Sequence, residues 1–150
     1  MQATRVDVSP EVRRFGRRAG YIVAVIINVL MLIVVRNILD WDVLPFLTDR
    51  FEQVVPWVTL SLTATIVANL IYLFKDAQAI RSTGGIVTNL ISLIVTYQIY
   101  QVFPFDFSAY DFNWEVVTRV VLIVAMVGAG IGMLTESIRL ASGEPDTYRR

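Results

Sequence analysis

Apolar positions gather along this chain in four long runs, each bounded by charged or turn-forming residues. They cover residues 20–39, 54–74, 84–103 and 116–134. Each is about 20 residues, or roughly 30 Å as helix, which matches the hydrocarbon thickness of a bilayer. They do not each carry the polar stripe that every helix of a water-soluble bundle turns toward solvent. The pattern predicts an all-α integral membrane protein with four transmembrane helices. Three spans plus one interfacial segment is the competing count. On this reading residues 1–19 form a basic N-terminal segment, 20–140 a single four-helix transmembrane domain, and 141–150 a polar tail.

The first run follows a basic stretch, RRFGRRAG, as a secretory signal would. It is too long for one, however, and it ends in VVRNILDWD, with no small-residue cleavage site. It reads as a retained anchor. Upstream, VSPEVRRFGRRAG predicts a short amphipathic helix preceding the first span. Ser9 is its expected cap, Pro10 suits the first helical position and Glu11 the first turn.

Charge fixes an expected orientation. Of the 13 Lys and Arg residues, all but Arg36, Arg50 and Arg119 lie in the N-terminal segment, the middle loop or the C-terminal tail. The other two loops are acidic, with Asp40, Asp42, Asp49, Glu52, Asp106, Asp111 and Glu115. The positive-inside bias then places both termini in the cytoplasm, in a multi-pass protein of the cell membrane.

Two similar strings, NVLMLIV at 28–34 and NLISLIV at 89–95, lie 61 residues apart. They match at Asn28/Asn89, Leu32/Leu93, Ile33/Ile94 and Val34/Val95. A duplicated unit would be a helical hairpin. The two hairpins would then be parallel repeats, related by an axis along the membrane normal.

The asparagines matter because an unpartnered amide is costly in lipid. Asn28, Asn69 and Asn89 fall at similar depth, in the half of the bilayer nearer the basic segments. They predict a polar layer of interhelical hydrogen bonds that fixes helix register. The alternative is a small polar cavity for a solute or ion. The fourth run carries Gly128, Gly130 and Gly132 at that level, and Gly128 with Gly132 makes a GxxxG packing motif. Ser92 and Thr96, with Thr88 and Asn89, predict one polar stripe where the second and third spans meet. Gly84-Gly85 reads as a loop-to-helix junction.

The acidic loops also hold most of the aromatic residues, including Trp41, Trp57 and Trp114. A headgroup-level belt accounts for them, and docking onto a partner is the other reading. Arg36 with Asp40, and Glu115 with Arg119, have i,i+4 spacing for ion pairs. If the first and fourth helices touch, the four make one charge cluster.

Composition narrows the function. The chain is 55% hydrophobic with a mean hydropathy of +0.60 and contains neither Cys nor His. That excludes disulfides, thiol or imidazole metal sites, and Ser-His or Cys-His nucleophiles. Net charge is zero, so no general attraction to nucleic acid is expected. No nucleotide loop and no cofactor motif is present. The expected function is that of a non-enzymatic membrane protein, a subunit, assembly factor or partner-binding protein. Its partners would be the lipid bilayer and another membrane protein or further copies of itself. The alternatives are a small oligomeric transporter or channel with a site at the asparagine layer, and a membrane sensor module.

Overall fold

The computed structural model describes residues 10–142, apart from the side chains of residues 10 and 13. The expected Ser9 cap and the polar tail beyond 142 lie outside the described residues. Four helices follow in order: α1 (Pro10–Asn37), α2 (Val55–Phe74), α3 (Gln78–Val102) and α4 (Trp114–Ala141). All four are long and apolar enough to cross a membrane. The start of α1, the α2–α3 turn and the finish of α4 share one end of the molecule, the tail end. The opposite end is the loop end.

Two elements run further than hydropathy suggested. The basic amphipathic segment is not a separate helix. It is the first three turns of α1, continuous with the span. α3 likewise begins at Gln78, so Gly84-Gly85 lies inside the helix rather than at a junction. Hydropathy marks where lipid begins, whereas a helix continues as long as its backbone hydrogen bonds do.

Local chemistry explains the remaining ends. Pro56 sits in the first turn of α2, where its missing N–H costs nothing. Asn113 caps α4, its Oδ1 accepting from the Val116 N–H at 3.2 Å. α3 stops at Phe103, which is left-handed (φ 42°, ψ 70°) and donates its N–H to the Ile99 carbonyl at 2.8 Å. Pro104 follows, buried, and cannot extend the helix.

The helices form an open row. α1 packs on α2, α2 on α3, and α3 on α4, but among the described residues no Cα of α1 comes within 8 Å of one in α4. A two-fold axis along the membrane normal would exchange α1 with α3 and α2 with α4. It would turn the α2–α3 seam into a matching α4–α1 seam. Among the described residues that seam is absent, so they show no such two-fold between the two hairpins. The apolar side chains buried inside the row are few: Val35, Val54, Ala68 and Val95. Many large apolar side chains are exposed, Ile26, Leu60, Val124 and Leu134 among them, the expected distribution where lipid or another protein is the solvent.

At the loop end the two outer connections are joined. Leu47 and Phe105 form an antiparallel bridge. Thr48 donates its N–H to the Pro104 carbonyl at 3.0 Å, and Asp106 donates to the Phe46 carbonyl at 2.8 Å. A 3₁₀ turn (Asp49–Gln53) then leads into α2.

Candidate functional site

The asparagines do not meet as a layer. Asn28 donates its amide to the Ala24 carbonyl at 2.7 Å, and Asn69 donates to Thr65 at 2.8 Å. Each is satisfied one turn back on its own helix, the cheap solution in lipid. Asn89 is different. It lies against Gly132 of α4, where a β-carbon would stand 3.0 Å from both of its amide heavy atoms. Gly85 approaches α4 in the same way, one turn earlier, against Glu136. Gly85, Asn89, Ser92 and Thr96 recur at spacings of four, three and four, so they share one face of α3. The first two members touch α4, so the polar face belongs to the α3–α4 seam. Thr88 parts from it and lines a groove toward α2. The hydroxyls of Thr88 and Thr96 bond back to Gly84 and Ser92. Of the glycine motif, Gly132 is used within the chain, while Gly128 and Gly130 have nothing within 4 Å of a would-be β-carbon.

The outer charges form no single cluster either. Arg119 donates to Glu115 Oε1 from Nε at 3.1 Å and from Nη2 at 3.0 Å, one turn along α4. Its guanidinium carbon also lies 4.1 Å over the Phe103 ring, which helps hold that left-handed residue. Arg36 and Asp40 make no ion pair among the described residues. α1 has already ended at Asn37, so Asp40 is off the helix and the i,i+4 geometry does not exist. α1 and α4 also stand apart, which keeps the two charge pairs separate.

Two constellations stand out instead. The first, at the tail end, was not expected. Asp76, in the short α2–α3 turn, accepts from Arg17 Nε at 2.9 Å, from the Tyr21 hydroxyl at 3.0 Å, and from Arg81 Nη1. Tyr72 of α2 donates its hydroxyl to the Arg81 carbonyl at 3.3 Å and packs its ring 5.6 Å from that of Tyr21. Gly84 leaves room for Tyr72: a β-carbon there would lie 2.8 Å from Tyr72 Cζ and collide with its hydroxyl. Burial alone would raise the Asp76 pKa. The hydrogen bonds from Arg81, Arg17 and Tyr21 outweigh it and hold the carboxyl below its ordinary value. This clasp ties α1, α2 and α3 together. Its signal in the sequence was a lone acid, Asp76, between Lys75 and Arg81.

The second constellation is the aromatic floor of the loop end. Phe46 reaches across from the first outer connection to Phe105 and Phe107 of the second, with ring centroids 6.5 and 5.5 Å apart. Phe105 and Phe107 stack at 6.0 Å, and Tyr110 meets Phe107 edge-on at 6.3 Å. With Trp114 and Thr118 these rings line a cavity of about 480 Å³. Asp106 anchors the turn, its Oδ1 accepting from the Ser108 N–H at 2.9 Å, and this bond holds its carboxyl below the usual value. No group of three or more potential metal ligands occurs among the described residues.

Comparison with known proteins finds no matching family model, no similar curated protein and no similar solved structure.

Proposed function

We infer that this chain is a non-enzymatic protein of the cell membrane that works by lateral association, as a subunit or assembly factor beside another membrane protein. One observation carries the reading: the helix row is open, and among the described residues nothing lies within 4 Å of a would-be β-carbon at Gly128 or Gly130 of α4. Small residues at a lipid-facing position let another helix backbone approach closely, which is how helices associate where lipid removes the hydrophobic driving force. The Arg-rich tail end sits in the cytoplasm and the acidic, aromatic loop end outside, in keeping with the positive-inside bias.

The test is purification from native membranes in a mild detergent, with mass spectrometry of what co-purifies and a measured mass for the complex. A stoichiometric second membrane protein supports the reading. A pure homo-oligomer moves the weight to a small transporter or channel. A monomer with no partner at all contradicts lateral association.

A further inference from the structure

The loop-end cavity has features that neither a lipid belt nor a helix-packing role requires. Five of its six lining residues are aromatic: Phe46, Phe105, Phe107, Tyr110 and Trp114. Its volume of about 480 Å³ is within the usual range for small-molecule sites, roughly 300–1,000 Å³. A shallower recess of about 400 Å³ shares four of these rings and adds Asp106, Asp111 and Glu115. The rings are thus a wall with an apolar chamber on one side and carboxylates on the other. Among the described residues no basic residue lines either space, and of the three acids Glu115 is already paired with Arg119.

Aromatic faces carry negative charge density, and a cation set over them is attracted, more strongly when water is excluded. The same aromatic cluster already holds one cation in this way, since Arg119 lies over Phe103 and 5.4 Å from the Tyr100 centroid. The loop end as a whole is acidic, which raises the local concentration of cations. An inorganic cation would want several oxygen ligands converging on one point, and none converge among the described residues. The frame is also fixed in advance. The Leu47–Phe105 bridge and its two flanking hydrogen bonds hold both outer connections in register, so binding requires little further ordering.

We propose that this aromatic wall binds an organic cation with apolar substituents, of the quaternary ammonium class, in the recess on its acidic side, with its apolar part against Phe105, Phe107 and Trp114 and its charge beside Tyr110, Asp106 and Asp111. The same chemistry is offered by a free solute and by a choline lipid headgroup in the facing leaflet. The position of the cavity, at the loop ends of spans, suits either source.

Trp114 lines the cavity and reports on it. In a variant with Trp41→Phe and Trp57→Phe, Trp114 is the only tryptophan. Its fluorescence is titrated with benzyltrimethylammonium, first in a maltoside detergent free of choline lipid. The expected result is a saturable change, about ten-fold weaker in Tyr110→Leu and in Asp106→Asn/Asp111→Asn, a shift of the size a cation–π or charge contact gives. Tyr110, Asp106 and Asp111 are exposed, so these variants should fold, and circular dichroism with thermal melting checks that they do. Neopentylbenzene, the neutral isostere, should bind far more weakly. Equal binding of the isostere would reduce the cavity to an apolar crevice and overturn the proposal. So would a non-saturating signal indifferent to all the substitutions. Repeating the titration in nanodiscs separates the sources: phosphatidylcholine discs that suppress the response, where phosphatidylglycerol discs do not, identify the headgroup, and an equal response in both identifies a free solute. A failed titration beside a co-purifying partner would reject the cation site and leave the association reading standing.

Discussion

Gly132 of α4 rests on the side-chain amide of Asn89 of α3, so close that a β-carbon at 132 would stand 3.0 Å from both Nδ2 and Oδ1. This contact places Asn89 in the α3–α4 seam. Asn89 is neither free in lipid nor bonded to Asn28 or Asn69. It fills the notch that a glycine leaves in the neighbouring helix. Gly128, one turn away, has no such neighbour, and the two glycines therefore make opposite predictions.

Gly132→Leu should force α3 and α4 apart and lower stability by about 1–3 kcal/mol, the usual range for overpacking a tight contact. Gly128→Leu should leave the stability of the isolated chain within about 0.5 kcal/mol of the parent, as substitutions in open positions do. If another helix seats on that face, the same variant loses its co-purifying partner. Thermal melting in detergent and the co-purification assay together separate the two roles. Destabilisation by Gly128→Leu alone would place the packing motif inside the chain after all.

Gly84 and Tyr72 give a sharper test, because the collision involves a single side chain. Tyr72 is held by the Arg81 carbonyl and the Tyr21 ring, so it cannot swing away freely. Gly84→Ala should therefore cost about 1–3 kcal/mol despite the better helix propensity of alanine. In a Tyr72→Ala background the same change should be neutral or stabilising. The coupling in this double-mutant cycle is the measurement. Additive effects would mean that the two residues do not touch.

The number and approximate place of the spans were legible because about twenty apolar residues in a row suit the width of a bilayer and little else. Val54–Phe74 and Val55–Phe74 differ by one residue between sequence and structure. The sequence pointed to a helix in the basic segment, but neither its unbroken continuation into the span nor the start of α3 at Gln78 was legible. Arg17, Arg18 and Arg81 break the apolar run without breaking the helix, since their long side chains reach the headgroup level while the backbone continues. The clasp was hidden for a different reason. Arg17 and Asp76 are 59 residues apart, and nothing local to either predicts that α1 begins beside the α2–α3 turn. The order of helices in the row, which separates Arg36 from Arg119, is likewise a tertiary fact. The aromatic richness of the outer loops was plain, but the cavity depends on the Leu47–Phe105 bridge, and Pro104 gives no hint of its partner.

The clasp predicts a specific pH dependence. Asp76 is held below its ordinary pKa in the folded protein, so its charged form is the stabilising one. Its contribution is fully present above the unfolded carboxylate value, about pH 4, and is lost as pH falls through the lower folded value. Asp76→Asn should lower stability at neutral pH by about 1–2 kcal/mol, toward the low end for charged hydrogen bonds because Arg17 and Arg81 remain partly solvated. The gap between parent and variant should then close below about pH 4. Melting curves of the two proteins across roughly pH 3–7 decide it. A gap that stays constant down to the lowest pH would mean that Asp76 acts through its shape rather than its charge.

Orientation rests on the distribution of Lys and Arg, and that rule counts basic residues rather than net charge. The distinction matters at the tail end, where Asp76 offsets Arg17 and Arg81 once the protein is folded. The bias acts during insertion, before the clasp exists, so the pairing does not weaken it. The chain contains no cysteine, and single cysteines can therefore be placed without removing any. Lys75→Cys marks the α2–α3 turn and Ser108→Cys the outer connection, both at exposed positions. The Ser108 bond to Asp106 uses the backbone N–H and survives the change. In intact cells a membrane-impermeant maleimide should label Ser108→Cys and reach Lys75→Cys only after permeabilisation. Labelling of both in intact cells would be incompatible with a row that crosses the bilayer. The reverse pattern would turn the protein over, bringing the acidic aromatic cavity to the cytoplasm and restricting its cation to one made or imported inside the cell.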